Sequence, residues 1–153
     1  MNLRQITPKD QQNLKALYFD SINSIDEKIY CKDQKIAWAS QAWENIEFKN
    51  SLLKGKGLVL CSDDEIMGFA TRFPNDRLSL FYVKGTLCRK GYGTIILNSI
   101  EKEANKEGIK KLVTEASLIS YRLFIKRKWK VICKENVVIK GIDFERYRMY
   151  KNL

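Results

Sequence analysis

Apolar residues recur along this chain with two spacings, and the switches between them outline a series of elements. Leu3, Gln5 and Thr7 alternate with Arg4 and Ile6, which predicts a short opening strand. Thr7-Pro8-Lys9-Asp10 then has the chemistry of a helix start, with a hydroxyl at the cap, proline in the first turn and an acid close behind. Leu14, Leu17, Tyr18 and Ile22 follow at helical spacing and predict one buried stripe. Asp33 is positioned to cap a short helix through Ile36, Ala37 and Trp38, and a second helical segment runs from about Gln41 to Leu53. Gly55-Lys56-Gly57 ends it. Leu58–Cys61 and Ile66–Ala70 flank the turn residues Ser62-Asp63-Asp64-Glu65 and predict a hairpin. Pro74-Asn75-Asp76 turns the chain again into an apolar strand, Leu78–Val83.

The second half is as regular. Ile96, Leu97, Ile100 and Ala104 form a helical stripe, with Glu101, Lys102, Glu103 and Lys106 expected to face water and Gly108 to close the helix. Lys111–Ala116 reads as a buried strand. Because it returns across a helix, it should run parallel to Leu78–Val83. Leu118–Lys128 predicts a further helix with Leu123 and Phe124 inward. Lys130–Lys134 and Val137–Lys140 are expected to pair around Glu135-Asn136, and Phe144–Tyr150 alternates as the last strand. The order βααβββαβαββ, without repeat or linker, predicts one mixed α+β domain over residues 1–153.

Composition narrows the function classes. At 44% apolar residues over 153 positions the chain can bury a substantial core. It has no run of about 18 apolar residues to span a membrane and no apolar leader, so a cytoplasmic protein is expected. The four cysteines, Cys31, Cys61, Cys88 and Cys133, are scattered and form no C-x-x-C pair. With no histidine in the chain, Ser-His-Asp and Cys-His catalysis and the common zinc sites are excluded, and no metal is expected. The formal charge of +10 suits a polyanionic partner, and equally a solvated basic surface.

The stretch Phe81-Tyr82-Val83-Lys84-Gly85-Thr86-Leu87-Cys88-Arg89-Lys90-Gly91-Tyr92-Gly93-Thr94 changes the picture most. It joins a strand, a basic loop and a helix start. The first N–H groups of a helix lack intrahelical partners and sit at the positive end of its dipole, so this is an anion site in outline. Gly91 and Gly93 let a phosphate approach the backbone. Neither the dinucleotide fingerprint nor the P-loop spacing is present, since Ile96 and Tyr92 stand at the deciding positions.

The segment Cys88-Arg89-Lys90-Gly91-Tyr92-Gly93 resembles the acetyl-CoA signature Q/R-x-x-G-x-G/A of the GNAT N-acetyltransferases, with Cys88 replacing the usual Gln or Arg. The order of elements is similar to that fold over nearly the whole chain. Gly68-Phe69 and the run from Glu115-Ala116-Ser117 through Phe124 to Trp129 also match. More narrowly, Ala37-Trp38-Ala39, Trp43, Glu115-Ala116-Ser117 and Tyr147-Arg148-Met149 look like the YafP-like bacterial branch. The resemblance implies a GNAT fold, with a mixed sheet of about six or seven strands and about four helices. It also implies acetyl transfer from acetyl-CoA to a small-molecule or peptide amine, by a monomer or homodimer. Cofactor contacts would come from Phe81, Tyr82, Val83, Cys88, Arg89, Lys90, Gly91, Tyr92, Gly93, Thr94, Ser117 and Phe124.

Two departures bear on catalysis. Phe124 stands where the family often has a tyrosine acid, and Ser79 and Leu80 stand where a carboxylate base is often found. Glu115 is therefore the expected base and Tyr121 the expected acid, with a surface carboxylate or a salt bridge to one of the many lysines, and a packing or CoA-contact tyrosine, as their plain alternatives. Trp38 and Trp43 are expected substrate contacts, or else packing aromatics, and Ser117 a CoA contact or a helix cap. Two other classes stay open on the sequence. One is an acyl-CoA-binding module without efficient catalysis. The other is a basic nucleic-acid binder, which lacks any recognisable motif and is not the expected partner class.

Overall fold

The computed structural model covers residues 1–153 and describes all of them except the side chain of Trp43. Strand β1 (Asn2–Gln5) leads through a 3-10 turn at Pro8–Asp10 into α1 (Gln11–Asn23). Helices α2 (Lys32–Ala39), α3 (Gln41–Glu44) and α4 (Ile46–Lys54) follow. Then come β2 (Lys56–Ser62), β3 (Glu65–Arg72), β4 (Arg77–Val83), α5 (Tyr92–Lys106), β5 (Lys111–Ala116), α6 (Tyr121–Lys126), β6 (Lys130–Ile139) and β7 (Ile142–Asn152). The strands form one seven-stranded sheet in the order β1-β2-β3-β4-β5-β7-β6. All neighbours are antiparallel except β4 and β5, which are parallel as a strand–helix–strand crossover requires.

One core lies on each face of the sheet. Leu14, Tyr18 and Ile22 of α1 and Phe48 and Leu52 of α4 pack on Val59, Phe69 and Leu80. On the other face Ile96, Leu97 and Ile100 of α5 and Phe124 of α6 pack on Leu60, Leu78, Leu112 and Met149. The helical stripes of the sequence are thus the buried faces. Glu101, expected in water, is instead largely covered: it accepts from the Trp129 indole at 2.8 Å and from Lys151 at 2.6 Å. Gly108 ends α5 with φ +82°, as its position at the helix end implies.

Four expectations are corrected. Asp33, expected as a cap, lies inside α2, whose N-cap is Cys31, and Gln34 Oε1 accepts from Cys31 N at 2.9 Å. The helix expected over Gln41–Leu53 is broken at Asn45, which is extended (φ −91°, ψ 122°) and whose side chain accepts from Glu47 N and Phe48 N to start α4 afresh. Leu118–Lys128 is helical only over Tyr121–Lys126. The turn expected at Glu135-Asn136 is absent: β6 runs straight through it and pairs with β7 from Lys130↔Tyr150 to Ile139↔Ile142. The chain turns at Lys140-Gly141 instead, both with positive φ (52° and 75°), the backbone that a two-residue hairpin of matching twist demands. Glu135 spends its polarity across the strand pair, accepting from Arg146 Nε at 2.8 Å.

The parallel pairing of β4 and β5 is brief. It comprises Arg77↔Val113 and Leu78↔Thr114, and no ladder joins them beyond that point. The cause lies on the other side of β4. The β3–β4 register runs Thr71↔Leu80 and then Arg72↔Leu78, so Ser79 is an extra residue on β4. Such a bulge bends and over-twists its strand. It also resets the alternation: Leu78 belongs to the α5 core, Leu80 to the α1 core and Phe81 again to the α5 side. Ser79 fills the bulge with its hydroxyl, which donates to Thr71 O at 3.1 Å and stands 3.0 Å from Thr71 Oγ1. Thr114 Oγ1 donates to Leu78 O at 2.8 Å where the ladder stops.

Buried charges tie the edges. Arg72 is fully buried, donates to Glu107 Oε1 at 2.8 Å and to Asn75 O at 2.7 Å, and anchors the end of α5 to the turn before β4. Arg4 grips Asp10 with two bonds of 2.8 Å, while Thr7 N and Thr7 Oγ1 donate to the same carboxylate. Those donors, Arg4 first, hold the Asp10 carboxyl well below the usual carboxylate range. A group whose folded pKa is depressed contributes stability above its unfolded pKa, near 4, and loses it as pH falls toward the folded value. Asp10→Asn should therefore lower the melting temperature at neutral pH, and the gap to wild type should shrink steadily as pH drops below about 4. A gap independent of pH, measured by thermal unfolding at several pH values, would count against this role for the ion pair.

Candidate functional site

Where β4 leaves β5, the sheet opens into a groove of about 1020 Å³. Its walls come from the bulged end of β4, the loop into α5, the segment between β5 and α6, and the residues that follow α1. The groove brings together most of the residues singled out in the sequence: Phe81, Tyr82, Val83, Cys88, Arg89, Gly91, Gly93 and Thr94 on one side, Glu115, Ser117, Tyr121 and Phe124 on the other, and Trp38 at the far end. Lys90 is exposed on the same loop and Tyr92 packs against the α5 core, and neither lines the groove. The side chain of Trp43 lies outside the described residues.

The loop into α5 is shaped by two left-handed residues, Arg89 (φ 64°) and Gly91 (φ 89°). Gly91 is the N-cap of α5, and a Cβ there would meet nothing within 4 Å, so the space before the helix is open to a ligand. Gly93 is different: its Cβ would come within 3.1 Å of Leu123 Cδ2 and 3.3 Å of Phe81 Cζ. One glycine thus serves backbone conformation and the other the close approach of α5 to β4 and α6. A phosphate fits this loop, with free helix N–H groups ahead of it and Arg89, Arg122 and Lys126 on the groove walls. Partial burial, with the charge of Asp20, pushes the Cys88 thiol up, so a neutral thiol stands where the signature usually carries Gln or Arg.

On the groove wall Glu115 is held by Arg77, whose Nε donates to Oε2 at 3.0 Å. The ion pair bridges the two strands at the point where they part. Tyr121 stacks on Tyr147, with ring centroids 4.4 Å apart, and both rings line the groove. Phe124 is buried, its ring 5.6 Å from Phe81 and 4.9 Å from Trp129, so it forms the floor. Ser117 closes the turn ahead of α6, whose N-cap is Ser120: its hydroxyl accepts from Ser120 N at 3.0 Å, and Ser120 Oγ accepts from Ser117 N at 3.0 Å. Tyr82 turns its ring into the α1 core. Burial pushes its phenol up to about 12, opposed by the neighbouring polar groups of Trp38 and Tyr18.

Several lining residues were not singled out from the sequence. Ile25, Asp26 and Ile29 follow α1, Leu118 and Ile119 follow β5, and Arg122 and Lys126 lie on α6. The loop after α1 has no periodicity that could have marked it. Two polar clamps hold these walls. Lys35, buried, donates through Nζ to Asn23 O at 3.0 Å and Ile25 O at 2.8 Å. The buried Tyr30 hydroxyl accepts from Leu118 N at 2.9 Å.

Residues 27–151 match the family model of the acetyltransferase (GNAT) domain. No curated protein sequence matches the chain. Among solved structures, a GCN5-related N-acetyltransferase from Rhodopseudomonas palustris aligns with a TM-score of 0.91 at 27% identity, over 99% of this chain and 95% of that one. The PaiA N-acetyltransferase from Thermoplasma acidophilum, solved in complex with coenzyme A, aligns over all of both chains with a TM-score of 0.73 at 20% identity. The yncA protein from Salmonella typhimurium, solved with its cofactor acetyl-CoA, aligns with a TM-score of 0.69 at 18% identity, over 100% of this chain and 94% of that one. The last two likenesses are of fold.

Among the described residues there is no cluster of ligands for a metal ion and no helix long and apolar enough to cross a membrane. The two glycines make separable predictions. Gly91→Ala should cost about 1–2 kcal/mol in chemical denaturation, the strain of an L-residue in the left-handed region. Gly93→Val should cost at least as much through its clash with Leu123 and Phe81. If both variants unfold at the wild-type midpoint, the loop is not held as described.

Proposed function

The chain belongs to the GNAT acetyltransferase family, and from that premise we propose that it transfers an acetyl group from acetyl-CoA to a primary amine by direct attack in a ternary complex. The observation that carries this reading is the parting of β4 from β5 after Leu78, with the N-terminus of α5 at the edge of the gap. It leaves one side of β4 from Ser79 to Val83 without a strand partner. The pantetheine arm could take that place, with the phosphates on the loop Arg89–Thr94 and contacts from Cys88, Ser117 and Phe124. A narrower placement in the YafP-like branch rests on the tryptophan and Glu115-Ala116-Ser117 motifs already described. The working form would be a single domain, a monomer or homodimer in the cytoplasm.

Acetyl-CoA supplies a thioester whose carbonyl carbon bonds to the amine nitrogen as the carbon–sulfur bond breaks. The chain has four tasks: to orient the reactants, polarise the carbonyl, remove a proton from the amine and return one to sulfur. Backbone N–H groups of Phe81–Val83 are suited to polarisation, since part of that edge has no ladder. Glu115 is the proposed base, directly or through a water. Arg77 occupies part of its hydrogen-bonding capacity and restrains its carboxylate. Tyr121 is the proposed acid, at the same wall as Phe124. Trp38 is proposed as a contact for the acceptor.

The pairing of Glu115 with Arg77 and the phenylalanine at 124 also favour a second reading, an acyl-CoA-binding module with little turnover. The two are separated by assaying release of CoA thiol with and without amines. On the enzymatic reading release requires an amine, and both CoA and acetyl-CoA raise the melting temperature, by an amount equivalent to about 2.7 kcal/mol at a hundredfold excess over Kd. Glu115→Gln should then lower kcat by about 10²-fold or more with little change in acetyl-CoA affinity. Wild-type kcat in that variant from about pH 6 to 9 would exclude Glu115 as base. The double variant Arg89→Ala with Lys90→Ala should weaken CoA binding and flatten its salt dependence. An unchanged salt slope in isothermal titration would leave the phosphates to the backbone alone.

A further inference from the structure

The groove lining divides by chemistry. Its cations are Arg89, on the loop into α5, and Arg122 and Lys126, on α6. Its apolar end is formed by Ile25 and Ile29 after α1, Trp38 of α2, and Leu118 and Ile119 after β5, with Ile25, Trp38 and Leu118 clustered around Tyr30. Ile29 and Ile119 are 44% and 39% exposed, apolar surface that gains by being covered. Asp26 and Glu115 are the carboxylates that line the groove, and Glu115 is already paired with Arg77. Asp26 accepts from Lys28 N through Oδ1 and sits at the rim. A polycationic acceptor would need several carboxylates near its extra ammonium groups, and the groove offers Asp26 beside an already paired Glu115. A single ammonium on an apolar body meets no such penalty.

The apolar walls are also pre-formed, which binding of a small apolar body requires if it is not to spend its energy on ordering loops. Lys35 fixes the carbonyls of Asn23 and Ile25 from beneath one wall. Tyr30 fixes Leu118 N under the other, and its ring meets the Trp38 ring edge-on at 5.3 Å. Trp38 in turn lies 6.4 Å from Tyr82, so an aromatic surface faces the apolar end at the point nearest β4.

We infer that the acceptor is a small monoamine whose nitrogen is carried on an apolar body, seated between the Ile25–Ile29 segment and Leu118-Ile119, and that polyamines and aminoglycosides are poor acceptors. This rests on the acetyltransferase reading of the groove. The test uses the CoA-loaded protein, in which no acetyl group is present and binding is read alone. Dissociation constants of n-propylamine through n-hexylamine are measured by isothermal titration, with spermidine alongside. Affinity should rise about fourfold for each methylene that the wall covers, as transfer of one methylene from water predicts. Spermidine should bind more weakly than hexylamine. Ile29→Asp and Ile119→Asp, both at exposed positions, should each flatten the chain-length series while CoA affinity stays at the wild-type level.

A flat series in the wild type, no amine binding at all, or tighter binding of spermidine would overturn the acceptor class. So would a series left intact in both variants. In each of those cases CoA still binds and the acetyltransferase reading stands. If CoA itself fails to bind, that reading falls and takes the acceptor class with it.

Discussion

Much of this structure depends on one extra residue in β4. Ser79 has no partner across β3, and its hydroxyl satisfies the bulge through Thr71. The strand bends there, and β5, which had just joined it through Leu78 and Thr114, continues instead along β7. A sheet that would otherwise be closed across its middle is therefore open on one side, and its backbone is exposed in a place where backbone is normally paired. The same residue flips the alternation of β4, so that Leu80 feeds the α1 core while Phe81 and Val83 turn to the groove and α5.

Keeping two strands apart costs ladder hydrogen bonds, and the surrounding contacts offset that cost. Thr114 Oγ1 and the Arg77–Glu115 pair take up polar groups at the fork. Phe124, wedged between Phe81 and Trp129, fills the floor so that the gap does not collapse. Arg72, buried and bound to Glu107, fixes the far end of α5, and Gly93 lets its near end approach β4. The helix is thus fixed at both ends, and its N-terminus stays at the mouth of the groove.

The charge of the chain is distributed with the same economy. The net excess is +10, yet Arg89, Arg122 and Lys126 are the cations that line the groove. Others have structural work: Arg4 on Asp10, Arg72 on Glu107, Lys35 on the end of α1, Lys151 on Glu101. The basic balance by itself is therefore a poor guide to partners. What matters is which cations share a concave surface with free helix N–H groups.

The sequence by itself determined the elements whose signals are local. The stripe Ile96, Leu97, Ile100 and Ala104, the hairpin at Ser62–Glu65 and the crossover to a parallel β5 depend on periodicity and turn chemistry over a few residues, and they fold as read. The loop Cys88–Thr94 was legible through Gly91, which answers to the loop's own backbone, while the need for Gly93 is set by Leu123 and Phe81. What only the tertiary structure decided depends on partners far along the chain. Glu135-Asn136 has the composition of a turn, but a long cross-strand ladder and the better turn at Lys140-Gly141 outweigh it. Asn45 breaks a helix whose pattern runs on, because its side chain caps the next one. The bulge at Ser79 exists only in the register between β3 and β4. The apolar end of the groove exists only because Lys35 and Tyr30 hold two loops together, and neither loop carries a period of its own. Register and loop placement are set by contacts between segments distant in sequence, which no local pattern encodes.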